Sequence, residues 1–490
     1  MQCIPKIGQR LGRSKAAGYP IRLVHAAETE VQREAPPENP TRVVWALAWP
    51  AVALNSLQVV NTLLDRGFIG HLNAAALTAH GGAMNVMFLM FSLAMALATG
   101  ATALVSRSYG AGERAQFRQA SRQAMGLAVM GGVFIMGVTL LIAPFAARAV
   151  LPANDLEAID LMTRFARIYA LGLPAIFVIQ ILAGSLRGIG DTRSPMVISG
   201  LQIGLHILLN YFLIVQAGWG LMGAAAALSA SAWASAVGYV AYVGKTPLGP
   251  QWRVRLPRQD WTVRILRIAI PAATMAVLRV FSLTAFTIAL KLVPNGSAGI
   301  AAMGVAFAIE SVMFMPAFGL SAAAGALVGQ SLGMKRPDRA ERLAWISAHH
   351  GALVTIALAG PVFIAAPTVA RLLLGGKELI ESEAVTVLRY LCATEFLFGY
   401  AMVLLGAMQG AGDTKRPMWI TIVSLWGLRV PLAFLMALKA GQPLGLGLTM
   451  PIGLGLGTNG AWLALAMTQG VQGVLSILFF RKGAWKTVKV

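Results

Sequence analysis

Ionisable and amide side chains are costly inside long apolar runs, and where they occur they usually face a cavity or a pathway. The first apolar run of this chain carries Asn55, Gln58, Asn61, Thr62 and Asp65. Spacings of three and four put these residues largely along one helical stripe, a face that lipid cannot satisfy. A later run carries Gln202, His206 and Asn210 at strict i, i+4, i+8, a second stripe, and Gln180 adds an isolated amide between the two. These groups are expected to converge in the N-terminal half of the chain. Asp65 is a carboxylate of that half inside an apolar run, and His206 is a second group there that titrates near neutrality when unperturbed. The chemistry open to such a pair is cation binding or proton exchange. Desolvation and the adjacent Arg66 would pull the ionisation of Asp65 in opposite senses. In the C-terminal half Arg279, Lys291, Glu310, Glu395 and Arg429 fall within or near apolar runs. Glu310 and Glu395 can be read as partners of those cations or as acids exposed to a binding cavity.

The elements that must hold these residues follow from composition. The chain has 490 residues, 57% hydrophobic and only 12% charged, whereas a soluble protein carries roughly 25% charged residues. Runs of about 20 apolar residues, long enough for a helix to cross the hydrocarbon core, recur near 43–66, 78–105, 123–150, 161–185, 195–216, 222–243, 267–291, 300–328, 344–373, 384–408, 417–437 and 460–480. The net charge of +21 is spread along the chain and forms no patch. Of the 40 Lys and Arg, seven precede the first run and 22 lie in alternate loops or the C-terminal end, at 107–122, 187–193, 245–267, 335–342, 415–416 and 481–490. Two intervening loops are acidic instead, with Asp155, Glu157 and Asp160 in one and Glu378, Glu381 and Glu383 in the other. That alternation is the positive-inside pattern, and it predicts an even number of spans with both termini in the cytoplasm. It also removes the argument for nucleic acid as a partner, leaving membrane lipids against the basic loops.

The chain repeats itself. Gly184-Ser-Leu-Arg-Gly-Ile-Gly-Asp-Thr-Arg-Ser-Pro-Met196 recurs as Gly406-Ala-Met-Gln-Gly-Ala-Gly-Asp-Thr-Lys-Arg-Pro-Met418, identical at seven of 13 positions. Val105-Ser-Arg-Ser-Tyr-Gly110 echoes Val328-Gly-Gln-Ser-Leu-Gly333, and Pro50 matches Pro271. The expected organisation is a flexible cytoplasmic tail at 1–42, a six-helix half at 43–245, a cytoplasmic linker at 246–264 and a second six-helix half at 265–485. With an even number of spans each, the halves are parallel repeats about an axis along the membrane normal, an arrangement common in transporters whose site lies between the repeats. A channel or an intramembrane enzyme could also be built on duplicated bundles. Neither has a motif here: there is no Gly-x-x-x-x-Gly-Lys-Ser/Thr phosphate loop, no paired aspartates and no His-Glu-x-x-His. His349 and His350 are adjacent and point about 100° apart on a helix, so they cannot share a metal. The two Gly-Asp-Thr loops read as tight turns, with Gly for the turn and Asp or Thr as helix caps. Cys3 and Cys392 make neither a disulfide framework nor a thiolate metal site.

At these residues the chain resembles the multidrug and toxic-compound extrusion family, from about Trp49 to Arg481. Pro50 followed by Asp65-Arg-Gly-Phe-Ile-Gly70-His71-Leu72 is similar to the first-span signature of its DinF-like branch, Asp-Thr-x-x-Ile-Gly-His-Leu, with Arg66 in place of Thr. The Tyr109-Gly110-Ala111-Gly112 loop, both Gly-x-Gly-Asp-Thr loops, Val328 to Gly333, and Arg429-Val-Pro431 resemble further family hallmarks. The resemblance implies an all-α membrane protein of twelve transmembrane helices in two six-helix bundles related by a pseudo-two-fold axis. It also implies exchange of H⁺ or Na⁺ for small organic, often cationic, compounds by a monomer of the bacterial inner membrane that needs no cofactor. Relatives often read Asn-x-x-Leu-Asp/Asn-Tyr in the fifth span; this chain reads His206-Ile-Leu-Leu-Asn210-Tyr211. A bare Na⁺ prefers several oxygen ligands, so the missing second carboxylate favours protons. Asp65, His206 and Asn210 are therefore expected to carry coupling, and Asn55, Gln58, Asn61, Gln180, Gln202, Glu310 and Glu395 to line the substrate cavity. The alternatives are Na⁺ coupling, or a flippase-like exporter of lipid-linked or anionic metabolites, whose cavity would be lined by cations.

Overall fold

The computed structural model describes residues 39–250, 256–445 and 448–490. Most of the tail expected at 1–42 and the centre of the linker at 246–264 lie outside the described residues, while Pro40 to Arg42 already belong to the first helix. Among the described residues twelve spans follow one another, two helices at a bend counted as one. The N-terminal half contains α1 (Pro40–Gly70), α2 (Ala74–Gly110), α3 (Arg114–Val150), the bent α4 (Leu156–Ala170 with Leu173–Gly188), α5 (Arg193–Gln216) and α6 (Gly220–Val243). The C-terminal half contains α7 (Gln259–Lys291), α8 (Gly296–Gly333), α9 (Pro337–Leu374), α10 (Glu378–Gly410), α11 (Lys415–Ala437) and α12 (Gly457–Arg481).

Several helices run well past the apolar segments that announce them. The 37 residues of α2 rise about 55 Å at 1.5 Å each, against a hydrocarbon core of about 30 Å. Hydropathy marks only the part that lipid surrounds; the helix continues until a turn residue stops it. After α2 that residue is Gly112, at φ +73°. The single span expected at 161–185 is bent by 49°. Pro174 has no N–H to donate to the Ala170 carbonyl four residues back, so the ladder breaks there, and within the bend the Leu171 carbonyl accepts a bond from the Trp233 indole at 2.9 Å. Two further irregularities fall in the paired spans, at different heights: α5 passes into a π-helical turn at Tyr211–Gln216, and α11 contains one at Ile422–Arg429. The α11–α12 connection carries a small antiparallel hairpin of β1 (Pro443–Gly445) and β2 (Leu448–Thr449).

The halves pack by exchanging their leading helices. α1 lies along α8 and α5, and correspondingly α7 lies along α2 and α11. All the close crossings sit toward the end that carries the Gly-Asp-Thr loops. Val44 and Ala48 join a core with Leu320, Ala323 and Leu327. Ile265 and Ile268 join one with Leu97, Ala101 and Leu104. At this sealed end glycines bring backbones together: a Cβ on Gly410 would stand 2.0 Å from the Gly325 carbonyl oxygen, and one on Gly110 would stand 2.0 Å from that of Gln330. Toward the opposite end α1 leaves α8 and turns to α5, with Leu57 against Gly200. The result is a pair of bundles joined at one end and parted at the other.

Both Gly-Asp-Thr loops are the turns their composition predicts. Gly190 and Gly412 adopt φ of +92° and +87°, a region that favours glycine. The cap, however, is the aspartate. Asp191 Oδ1 accepts from the Ser194 N–H at 3.0 Å and Asp413 Oδ1 from that of Arg416 at 3.3 Å, while Thr192 and Thr414 make no side-chain capping bond.

Candidate functional site

The stripes on α1 and α5 meet. Asn210 Nδ2 donates to Asp65 Oδ1 at 2.7 Å, and Asn61 Nδ2 lies 3.5 Å from Asp65 Oδ2. His206 bridges the two amides: its Nδ1 lies 3.0 Å from Asn61 Oδ1 and its Nε2 lies 3.3 Å from Asn210 Nδ2. A neutral imidazole carrying its proton on Nδ1 satisfies both contacts, donating to Asn61 and accepting from Asn210. Asp65 thus has amide donors around it and no counter-ion at bonding distance. The nearest imidazole nitrogen is 3.8 Å away, and Asp65 keeps 19% of its side chain accessible against 4% for His206, so solvent reaches the acid first. The buried Asn210 Oδ1 is without a hydrogen-bond partner, an acceptor left over once both protons of that amide are committed.

Arg66 is exposed and forms no ion pair with Asp65; its electrostatic reach is toward His80. Asn61, expected among the cavity residues, is instead buried within the Asp65 network. Asn55, Gln58, Gln180 and Gln202 do not join it: they are half-buried or exposed, and their side chains make no hydrogen bond within the described chain.

The C-terminal half gathers a different cluster. Gln469 Nε2 of α12 donates to Glu310 Oε1 of α8 at 2.6 Å, and the Oε1 of the same amide accepts from Thr394 at 3.1 Å. Arg429, buried on α11, donates through Nε to Thr468 at 3.1 Å. Glu395 is fully buried, and neither of its oxygens has a hydrogen-bond partner. No ion pair joins Glu310 or Glu395 to a cation among the described residues, so the expectation of pairing gives way to an amide contact and a free carboxyl. Sequence reasoning passed over Gln469, Thr468 and Thr394. The signal was present, because Gln469 and Gln472 lie three apart within the last apolar run, the kind of amide pattern that singled out α5.

At the sealed end the repeated Val105–Gly110 and Val328–Gly333 segments form a reciprocal contact. Arg107 Nη1 donates to the Ala411 carbonyl at 3.3 Å, and at the matching position Gln330 Nε2 donates to the Gly188 carbonyl at 2.9 Å. Each half thus grips the carbonyl end of the other half's bent or long helix.

Two parallel six-helix bundles, sealed at one end and parted at the other with buried polar groups in each, are the frame of a secondary transporter. A family model described as MatE matches residues 50–212 and 271–435, one match in each half, and the chain belongs to that family of multidrug efflux transporters. It is 29% identical over 449 residues to a probable multidrug resistance protein NorM of Thermotoga maritima, covering 90% of this chain and 92% of the relative. Protein DETOXIFICATION 30 of Arabidopsis thaliana is 24% identical over 457 residues, covering 91% and 86%. Among solved structures, a MOP superfamily transporter from Pyrococcus furiosus, described as having a binding pocket of reverse polarity, superposes with a TM-score of 0.83 at 21% identity, covering 92% of this chain and 97% of the other. An outward-facing multidrug resistance MATE transporter gives 0.83 at 22% identity, with coverage of 92% and 97%. The chain is therefore a multi-pass membrane transporter acting on small molecules.

Proposed function

We propose that the protein exports organic cations in exchange for protons, with Asp65 as the coupling acid and His206 and Asn210 as the groups that read its state. The observation carrying this reading is the polarity of the network: Asp65 is met by N–H donors. A bare Na⁺ needs several oxygen ligands, and here Asn61 Oδ1 is already engaged by His206. A proton asks less of the same site. If Asp65 takes one, its O–H needs an acceptor, and a half-turn of the Asn210 amide brings Oδ1 to where Nδ2 now stands, 2.7 Å from Asp65 Oδ1. That turn also offers an oxygen to His206 Nε2, which then carries the ring proton, and Asn61 turns its Nδ2 to the ring's Nδ1, giving up its 3.5 Å contact with Asp65 Oδ2. The network thus has two hydrogen-bond polarities, chosen by one proton. An ion drives a conformational cycle only by its differential affinity for the two states, and a polarity reversal between α1 and α5 supplies the difference.

In this reading the sealed end with the Gly-Asp-Thr loops and both termini is cytoplasmic in a bacterial inner membrane, and the parted end faces outward. Both halves belong to one chain, so a monomer suffices for alternating access. The amides Asn55, Gln58, Gln180 and Gln202, with Glu310, are assigned to the substrate path; Glu395, fully buried, is not. Proteoliposomes loaded with a fluorescent organic cation test the coupling: a pH gradient alone should drive efflux and a Na⁺ gradient alone should not. Orientation is tested separately, because a cysteine at Thr192 or Thr414 that reacts with a membrane-impermeant reagent in intact cells would reverse the assignment. An anionic substrate is the second reading. Arg279 favours it, standing exposed midway along α7 at the position matching Gln58 of α1; efflux of an anionic dye in place of the cation would select it.

A further inference from the structure

A cavity of about 350 Å³ lies at the sealed end, between the start of α7, the Gly-Asp-Thr turn before α11 and the segment 488–490. Five cations line it: Arg264, Arg267, Lys415, Arg416 and Lys489. The side-chain carboxylate among its lining residues, Asp413, is committed to the Arg416 guanidinium and to the Arg416 N–H. The other four cations form no ion pair within the described chain. Like charges around one hollow repel one another, and a multivalent oxyanion relieves that repulsion while supplying acceptors for every donor. The cavity opens at the ends of two spans, where Trp419 is 58% exposed and Arg264 lies 5.5 Å over the Trp261 ring. That is the depth of lipid headgroups, where tryptophan concentrates.

We propose that this cavity binds a phosphate-bearing anion, supplied by a phospholipid headgroup or by free phosphate, and that the bound anion holds the sealed end shut. The second part rests on the alternating-access reading and on how the cavity wall is fixed. Lys489 belongs to a strap held by both halves: the Val488 carbonyl accepts from Arg107 of the N-terminal half at 2.6 Å, while Val490 packs over Gly412 and Lys486 pairs with Glu341 in the C-terminal half. Arg264, Arg267, Lys415 and Arg416 belong to the C-terminal half. An anion held by both sets spans the seam, so it binds the sealed state more tightly than a state in which the seam has parted, and shifts the balance accordingly.

The test uses the full chain. Native mass spectrometry after delipidation and addition of phosphatidylglycerol or zwitterionic lipid reads headgroup binding, and calorimetric titration with inorganic phosphate reads the free anion. Wild type should bind at least one of the two phosphate sources. The triple variant Arg264→Gln, Arg267→Gln, Lys415→Gln should bind it on the order of 100-fold more weakly, at about fivefold per cation removed. Arg264→Lys with Arg267→Lys, which keeps the charge, should retain binding and so excludes simple misfolding of the triple variant. Saturable binding of phosphatidylglycerol but not of inorganic phosphate assigns the headgroup, and the converse assigns the free ion. Equal binding by wild type and triple variant, or no binding of either probe, overturns the site. Closure is read on a Cys3→Ser, Cys392→Ala, Ser106→Cys background, since Ser106 is buried in the seam. The bound anion should slow maleimide labelling there in wild type and not in the triple variant; unchanged labelling despite binding overturns the closing role. Neither readout uses a gradient or a drug, so failure of the coupling scheme leaves both interpretable.

Discussion

Between α1 and α5 the N-terminal half holds Asp65, Asn61, His206 and Asn210 in one hydrogen-bonded group. At the matching place between α7 and α11, Phe286 stands for Asp65 and packs on Trp462 with ring centroids 5.9 Å apart, and Ser282 stands for Asn61. Leu428 and Leu432 stand for His206 and Asn210. The C-terminal half moves its ionisable groups to α8, α10 and α11, with Gln469 of α12 beside them. Duplication has kept the packing that the sealed end requires and released the interior positions to diverge. Groove glycines, Gly-Asp-Thr caps and the crossing of leading helices are common to both halves because each half must meet the other; the buried chemistry answers to no such symmetry.

The largest expected effect sets one half against the other. Asp65→Asn should reduce gradient-driven efflux to the leak of protein-free vesicles while substrate binding stays measurable. Glu395→Gln should retain most of the wild-type rate, because the Glu395 carboxyl makes no hydrogen bond for an amide to disturb. If Glu395→Gln abolishes efflux and Asp65→Asn does not, the assignment of coupling to the N-terminal half is wrong.

What the halves share can be broken symmetrically. Arg107→Ala removes two cross-half hydrogen bonds to carbonyls, those of Ala411 and Val488, and Gln330→Ala removes one. At about 0.5–1.5 kcal/mol per bond, the double variant should weaken the sealed end by on the order of 1.5–4.5 kcal/mol, with about two-thirds of that from Arg107→Ala. Maleimide labelling of Ser106→Cys measures it. A double variant that labels no faster than its parent would mean that glycine packing alone closes the seam.

The polar stripes were legible in the sequence because apolar runs make every amide conspicuous, and helical spacing told which ones share a face. How α1 and α5 are set against each other was not legible: nothing in Asn61 or His206 states that an imidazole will stand between two particular amides, since that depends on a relative rotation of two helices. The crossing of α1 onto α8 was hidden for another reason. An apolar face looks the same in sequence whether lipid or another helix covers it, and only Gly319, which faces the Val52 backbone of α1, hinted at that close partner. The bend in α4 could have been read from Pro174, which sits within a span that otherwise scores as continuous.

A subtler break in the comparison concerns His206, which has no ionisable counterpart in α11. His206→Asn keeps a donor and an acceptor between Asn61 and Asn210 but loses the group whose proton can move between two ring nitrogens. Efflux should persist at a reduced rate with an altered pH dependence. An unaltered profile would remove His206 from the polarity reversal and leave it a packing residue; complete loss of coupling, with Asp65→Asn still active, would make the imidazole the carrier.

The smallest expected effect belongs to Arg66, the cation beside the coupling acid in sequence. Adjacent residues on a helix point about 100° apart, and the structure uses that separation: Arg66 is exposed while Asp65 turns to Asn210 at 2.7 Å. An exposed guanidinium screened by water and salt contributes little to a neighbour it does not touch. Arg66→Thr should therefore move the pH optimum of efflux by less than about 0.3 unit, equivalent to about 0.4 kcal/mol. An upward shift of a full unit in that optimum would mean that during the cycle Arg66 swings onto Asp65 and favours its ionised form, making the cation a third member of the site that the sealed-end-shut conformation keeps apart.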